Sequence, residues 1–146
     1  LLRRALHDLP EEAALFRVAP GSNHVAFLAL HLLDARAWMA NLMAGSTLTH
    51  DFAPLVDAAR GVDDIEAYPP VGEILDGWET ISDALETRLA AQTGESLAID
   101  VGHEYPNGRS DLQGALGFLL HHESYHIGQV NLLRRAAGVG PIGFTE

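Results

Sequence analysis

Three of the eight histidines fall in one stretch, LLHHESYHIGQVNLLRR, residues 119–135. His122 and His126 stand four apart. On a helix that spacing is one turn, so both imidazoles leave the same face with Cβ atoms about 5–6 Å apart. The face is otherwise apolar: Leu112, Leu116 and Leu119 precede the pair, and Val130 and Leu133 follow it. A buried imidazole needs a partner for each ring nitrogen. Two on one apolar stripe meet that need by sharing a ligand, and imidazole is the commonest metal-binding side chain. The alternative is a pair of hydrogen-bonded core histidines.

Residues 122–126, H-E-S-Y-H, also match the H-E-x-x-H pattern of zinc proteases. The surroundings argue against that chemistry. No histidine follows His126, Gly128 comes one position early for the longer form of the motif, and the only later acid is Glu146. Glu123 could act as a general base, but adjacent residues point about 100° apart around a helix. It is therefore expected at the surface or in a supporting role. Gln129 lies three positions after His126, on the site face, where it could bond a ligand or orient a histidine. Tyr125 lies near the edge of that face, where its hydroxyl could meet a substrate.

A further histidine, His31, lies on the stripe Leu28, His31, Ala35, Trp38, Leu42, spaced like the seam of a helix bundle. Asp34, one turn on, could orient it, and a plain surface role is the alternative. His24 lies about 10 Å further up the helix at 1.5 Å per residue, too far to share an ion, and is expected at the rim or surface. If the two helices face each other, His31, His122 and His126 offer three neutral nitrogens to one divalent ion. Three protein ligands leave coordination positions open, as catalytic sites do. Zinc, nickel or another metal suited to imidazole would fit, and would lower the pKa of a bound water or thiol.

Composition narrows the field. The 146 residues are enough for one domain, 47% are hydrophobic, and there is no cysteine, so disulfides, thiolate metal sites and a cysteine nucleophile are excluded. Nine basic residues against twenty acidic ones give a net charge of −11, which speaks against nucleic acid as a partner. No apolar run approaches the roughly 18 residues of a membrane span, and no signal peptide is visible. A cytoplasmic protein is expected. The chain begins with Leu1, not Met, so a natural N-terminus upstream is also expected.

The elements that must position the histidines read as all α. Residues 1–17 form helix in two pieces, interrupted at Pro10. A second helix is expected from a cap at Ser22 or Asn23 to about Ala44, stopped by Gly45. Residues 46–71 form a connector containing one short helix in DFAPLVDAAR. A third helix runs from about Glu73 to Gln92, burying Ile74, Trp78, Ile81, Leu85 and Leu89, with Gly94 as its stop. Residues 95–109 form a loop in which His103, Glu104 and Tyr105 are expected to be solvated. The last helix opens on an S-x-x-Q capping box, Ser110 to Gln113, and closes at Gly138 before Pro141. Antiparallel neighbours need only short loops, so the long connector permits a parallel second and third helix.

FLALHLLDARAWM (27–39), taken with FLLHHESYHIGQVNLLRRAAG (118–138) and its H-x-x-x-H-x-G-Q block, resembles the DinB-like superfamily along essentially the whole chain. The resemblance implies a four-helix bundle of up-down-down-up topology, often dimeric. It also implies zinc or nickel held by His31, His122 and His126, with His121 outside the pattern. Relatives of this kind include metal-dependent S-transferases and isomerases that use low-molecular-weight thiols, as well as hydrolases. The expectation is a homodimeric, metal-dependent thiol transferase acting on a small molecule. A hydrolase on the same site and a non-catalytic metal-binding stress protein are the alternatives.

Overall fold

Two apolar clusters and the polar layer between them organise the chain. The computed structural model describes residues 1–143. It contains α1 (Leu2–Leu6), α2 (Glu11–Ala14), α3 (Val25–Asn41), α4 (Ala53–Ala58), a 3-10 turn (Val62–Asp64), α5 (Val71–Ala90), α6 (Gly94–Leu97) and α7 (Leu112–Ala136). Among the described residues there is no strand, only one isolated bridge between Asp100 and Asp111. The protein is all-α, as expected. α3 packs against α5 and α7, and α1 packs against the same two helices.

α3 starts later and stops earlier than its sequence suggested. Its cap is His24, whose Nδ1 accepts from the Phe27 amide at 3.2 Å. Ser22 instead bonds Ala19. This later start turns His24 inward. Expected at the rim, it is 2% exposed, with the edge of its ring against Tyr68. At the other end the Asn41 amide clamps the Leu48 backbone, so the chain leaves the helix before Ala44. The Arg88 guanidinium reaches from α5 to the carbonyls of Ala40 and Ser46, supplying donors to the end of α3. It also fills the space beside Gly45, where φ is +145° and a Cβ would meet the guanidinium.

α3 is buried nearly all round. Leu28, Ala29, Leu30, Leu32, Leu33 and Ala37 are all in the core, because the helix packs on α2 and α4 as well as on α5 and α7. The expected seam is therefore not the buried face. Of its members Leu28 is buried, but Ala35 and Leu42 are only partly so and Trp38 is 44% exposed.

α5 buries Ile74, Trp78, Ile81 and Leu85 as expected, while Leu89 in its last turn is exposed. Its first amide, at Val71, donates to the Glu11 carboxylate, which ties α2 to the helix start. α5 ends at Ala90, and Gly94 opens α6, capped by a reciprocal Thr93–Ser96 box, where a loop was expected.

α7 is capped by Asp111, not by the Ser110 box. The Asp111 carboxylate accepts from the Gly114 amide at 2.8 Å, and Ser110 donates to Asp100. At its far end the Val139 amide bonds the Arg134 carbonyl and the Gly138 amide bonds the Arg135 carbonyl, with Gly138 at φ +82°. This double bond pattern closes the helix at the glycine the sequence suggested.

Along α7, Leu112 and Leu119 belong to one apolar cluster, Val130 and Leu133 to the other. His122, Glu123 and His126 fall between them. Glu123, expected at the surface, is 7% exposed. Its two oxygens take Arg36 Nε and Nη2 at 2.7 and 2.6 Å, Arg36 Nη1 donates to Ser82, and the guanidinium lies 3.5 Å over the Trp78 ring. One ion pair thus joins α3, α5 and α7. Removing one partner strands a largely buried charge. Glu123→Ala should lower unfolding free energy by about 3 kcal/mol, read from urea denaturation. Arg36→Met combined with Glu123→Leu should lose less than Glu123→Ala alone. A Glu123→Ala protein as stable as the parent would contradict this account.

Candidate metal centre

α7 presents His122 and His126 one turn apart, and α3 brings His31 against them. Nε2 of His31 lies 3.0 Å from Nε2 of His122, which lies 3.1 Å from Nε2 of His126. The ligand atoms of all three fall within 4.8 Å of one another. The rings meet edge-on, at interplanar angles of 73°, 80° and 84°, so three nitrogens converge while the carbon edges diverge. The structure brings together the three histidines that the sequence singled out.

The donor set fits a divalent cation. Nitrogens bound at about 2.0–2.1 Å to one ion stand about 3 Å apart at right-angled or tetrahedral geometry. Burial lowers the His31 pKa, with the His126 charge adding to the effect. Burial likewise pushes His122 down to about 4, helped by His126 and His31. Both rings are neutral at pH 7 and offer lone pairs. Two neutral lone pairs facing each other repel unless a proton or a cation lies between them. The His126 ring is fixed by Gln129, whose Oε1 accepts from Nδ1–H at 2.7 Å, and this leaves Nε2 unprotonated towards the cluster. The Gln129 amide nitrogen in turn donates to the Tyr125 hydroxyl at 3.2 Å. Tyr125 is 60% exposed and stands at the solvent edge beside His126. Nδ1 of His122 is buried without a partner among the described residues.

Other expectations change in detail. Glu123 is committed to Arg36 and does not face the cluster. Asp34 approaches His50 at 3.4 Å and makes no bond to His31. His50, which the sequence did not single out, is buried. Of the loop residues expected in solvent, His103 and Glu104 are exposed, but Tyr105 is 3% exposed, packed on Trp38 and Phe118. Phe118 in turn lies beside His122. Glu146, the one acid after the H-E-x-x-H match, lies outside the described residues.

The cluster is open to cavities on two sides. One, about 310 Å³, has His31 and His126 in its wall together with Phe27, Leu30, Val56 and Ile65, and with Asn23 and Arg60 as its polar members. The other, about 330 Å³, reaches His122 past Trp38 and Phe118. Two larger clefts, about 580 and 600 Å³, contain none of the three histidines. The sequence marks Asn23 only as a cap candidate and Arg60 not at all, because nothing in a connector or a helix approach tells which polar residue faces a cavity.

The sequence model of the DinB superfamily matches residues 1–130, a stretch that includes all three histidines and Gln129. The chain belongs to the DinB superfamily. No curated protein matches it. Among the described residues no helix is long and apolar enough to cross a membrane.

The acid limb of stability follows from the buried imidazoles. Burial, with Arg17 adding, also holds His24 at about 4, against an ordinary value of 6.5. The unfolded chain therefore binds more protons than the folded one between those values. Stability held above pH 6.5 is lost progressively as pH falls towards 4. Denaturation midpoints of the metal-free protein should drop over that range. His24→Asn, which keeps a capping acceptor, should flatten the slope. An unchanged slope in that variant would contradict the assignment.

Proposed function

We propose that this protein holds one divalent ion, zinc or nickel, through Nε2 of His31, His122 and His126, and activates a low-molecular-weight thiol for S-transfer to a small electrophile. The observation that carries the reading is the convergence of three imidazole nitrogens at the end of an open cavity. A sealed site would have favoured storage or a structural role.

An ion held by three neutral imidazoles supplies Lewis-acid chemistry, lowering the pKa of a thiol or water that joins it. The chain's own residues do the rest. Gln129 holds the His126 ring in the ligating tautomer. Phe27, Leu30, Val56 and Ile65 form a wall that excludes water and orients an apolar electrophile. The chain has no cysteine, so a sulfur nucleophile must arrive as a bound thiol. With Glu123 paired to Arg36, Gln129 and Tyr125 are the remaining candidates beside the cluster for contact with substrate.

The same reading takes residues 1–146 as a single domain. α1 with α2, α3, α5 and α7 form a four-helix bundle ordered up-down-down-up, with residues 46–71 as the long crossover. The packing of α3 and of α1 on both α5 and α7 supports it. The protein works as a cytoplasmic homodimer on a small-molecule substrate.

The test is consumption of a haloarene or epoxide by metal-reloaded protein with several low-molecular-weight thiols and a thiol-free control. Turnover should require thiol and vanish with a chelator. It should fall more than about 100-fold in His122→Ala, since even a residue that only orients a ligand is worth 10–100-fold. Metal-dependent turnover that ignores thiol would assign a hydrolase instead. A loaded protein inert across the panel would assign a non-catalytic metal-binding stress protein.

A further inference from the structure

We infer that the cavity at His31 and His126 takes a carboxylate-bearing small molecule, with Arg60 holding the carboxylate and the apolar wall holding the body. All nine basic residues of the chain are arginines. Arg3, Arg17, Arg36, Arg109 and Arg134 each sit on a carboxylate. The Arg60 guanidinium has no ion-pair or hydrogen-bond partner among the described residues, and it lines a cavity that has both His31 and His126 in its wall. Its backbone is not loose: the Arg60 amide donates to Asp64 at 2.7 Å, and Ala59 closes α4 immediately before it. Arg60 is exposed and its guanidinium is uncommitted, so its planar fork is free to meet a carboxylate bidentately at the cavity wall.

The rest of the cavity sets the body of the ligand. Leu30, Val56 and Ile65 are apolar, and Phe27 lies parallel to the His31 ring at 6.4 Å. A cavity of about 310 Å³ is at the small end of ligand pockets, so it takes a small molecule. With a net charge of −11, the protein as a whole repels anions, and only a local cation would recruit one. The ligand is thus a short, apolar monocarboxylate whose far end meets the histidines.

This inference rests on the proposed metal centre only for that far end. The experiment therefore includes ligands that need no metal. Binding of 6-mercaptohexanoate and 6-mercaptohexanol to zinc-loaded protein, and of hexanoate and hexanol to metal-free protein, is followed by NMR titration, with metal content measured separately. The wild type should prefer each carboxylate over its alcohol by about tenfold. Arg60→Gln should erase the preference and Arg60→Lys should retain part of it, with metal loading unchanged in both. The Arg60 side chain bonds to nothing among the described residues, so neither variant threatens the fold. No preference in the wild type, or one that survives Arg60→Gln, would overturn the inference while leaving the metal centre standing. Failure to load zinc would remove the metal centre, while the hexanoate arm would still decide on Arg60. Competition between hexanoate and 6-mercaptohexanol on the zinc-loaded protein would place the carboxylate on the thiol. Simultaneous binding of hexanoate and 6-mercaptohexanol would place it on the electrophile. Both results uphold the role of Arg60.

Discussion

A two-point ion pair between Arg36 and Glu123 holds α3 and α7 in the register that the histidines need. Glu123 is the residue next to His122 on α7, and Arg36 lies five residues beyond His31 on α3. Each oxygen of Glu123 takes its own nitrogen of Arg36, so neither helix can slide or rotate without losing a bond. Desolvating both charges is costly, and an apolar pair of similar volume would stabilise the fold as well or better. The pair's contribution is geometric. The Trp78 face below the guanidinium and Ser82 beside it extend the same constraint to α5.

The polar layer built on this pair separates two apolar clusters, and the imidazoles occupy its open side. Their half-buried setting explains their chemistry. Desolvation keeps His31 and His122 neutral, and each adjacent ring disfavours a proton on the next. Three ring nitrogens, with His122 Nε2 about 3 Å from each of the other two, are arranged for a cation larger than a proton. Gln129 settles the tautomer of the third ring through a neighbour one turn away, a device that costs no additional charge in the layer.

What the sequence makes legible is periodic. The pair His122 and His126, the buried face of α5 and the glycine stop of α7 all follow from spacing on one helix. What it hides depends on partners from other helices. α3 is Leu- and Ala-rich on every side, so its pattern cannot say which face meets α7, and Trp38, which its spacing puts on the seam, is exposed. Glu123 reads as a surface acid because its neighbour on the linear chain faces the core a hundred degrees away. Only Arg36, eighty-seven positions distant, makes its burial possible. His24 reads as a rim residue because it stands about 10 Å along the helix from His31, and its capping role shows only in the fold; the Asp111 carboxylate caps α7 while Ser110 bonds Asp100. Tyr105 sits on a polar loop, yet its ring has Trp38 and Phe118 to cover it.

Three imidazole nitrogens converge where one divalent ion would bind. X-ray absorption at the zinc edge, on protein loaded with one equivalent, reports the ligand atoms directly. The account predicts three imidazole nitrogens at about 2.0–2.1 Å, with the multiple scattering of intact rings, and one ring fewer in His31→Ala. A first shell of oxygens without imidazole scattering, or a spectrum unchanged by His31→Ala, would contradict it.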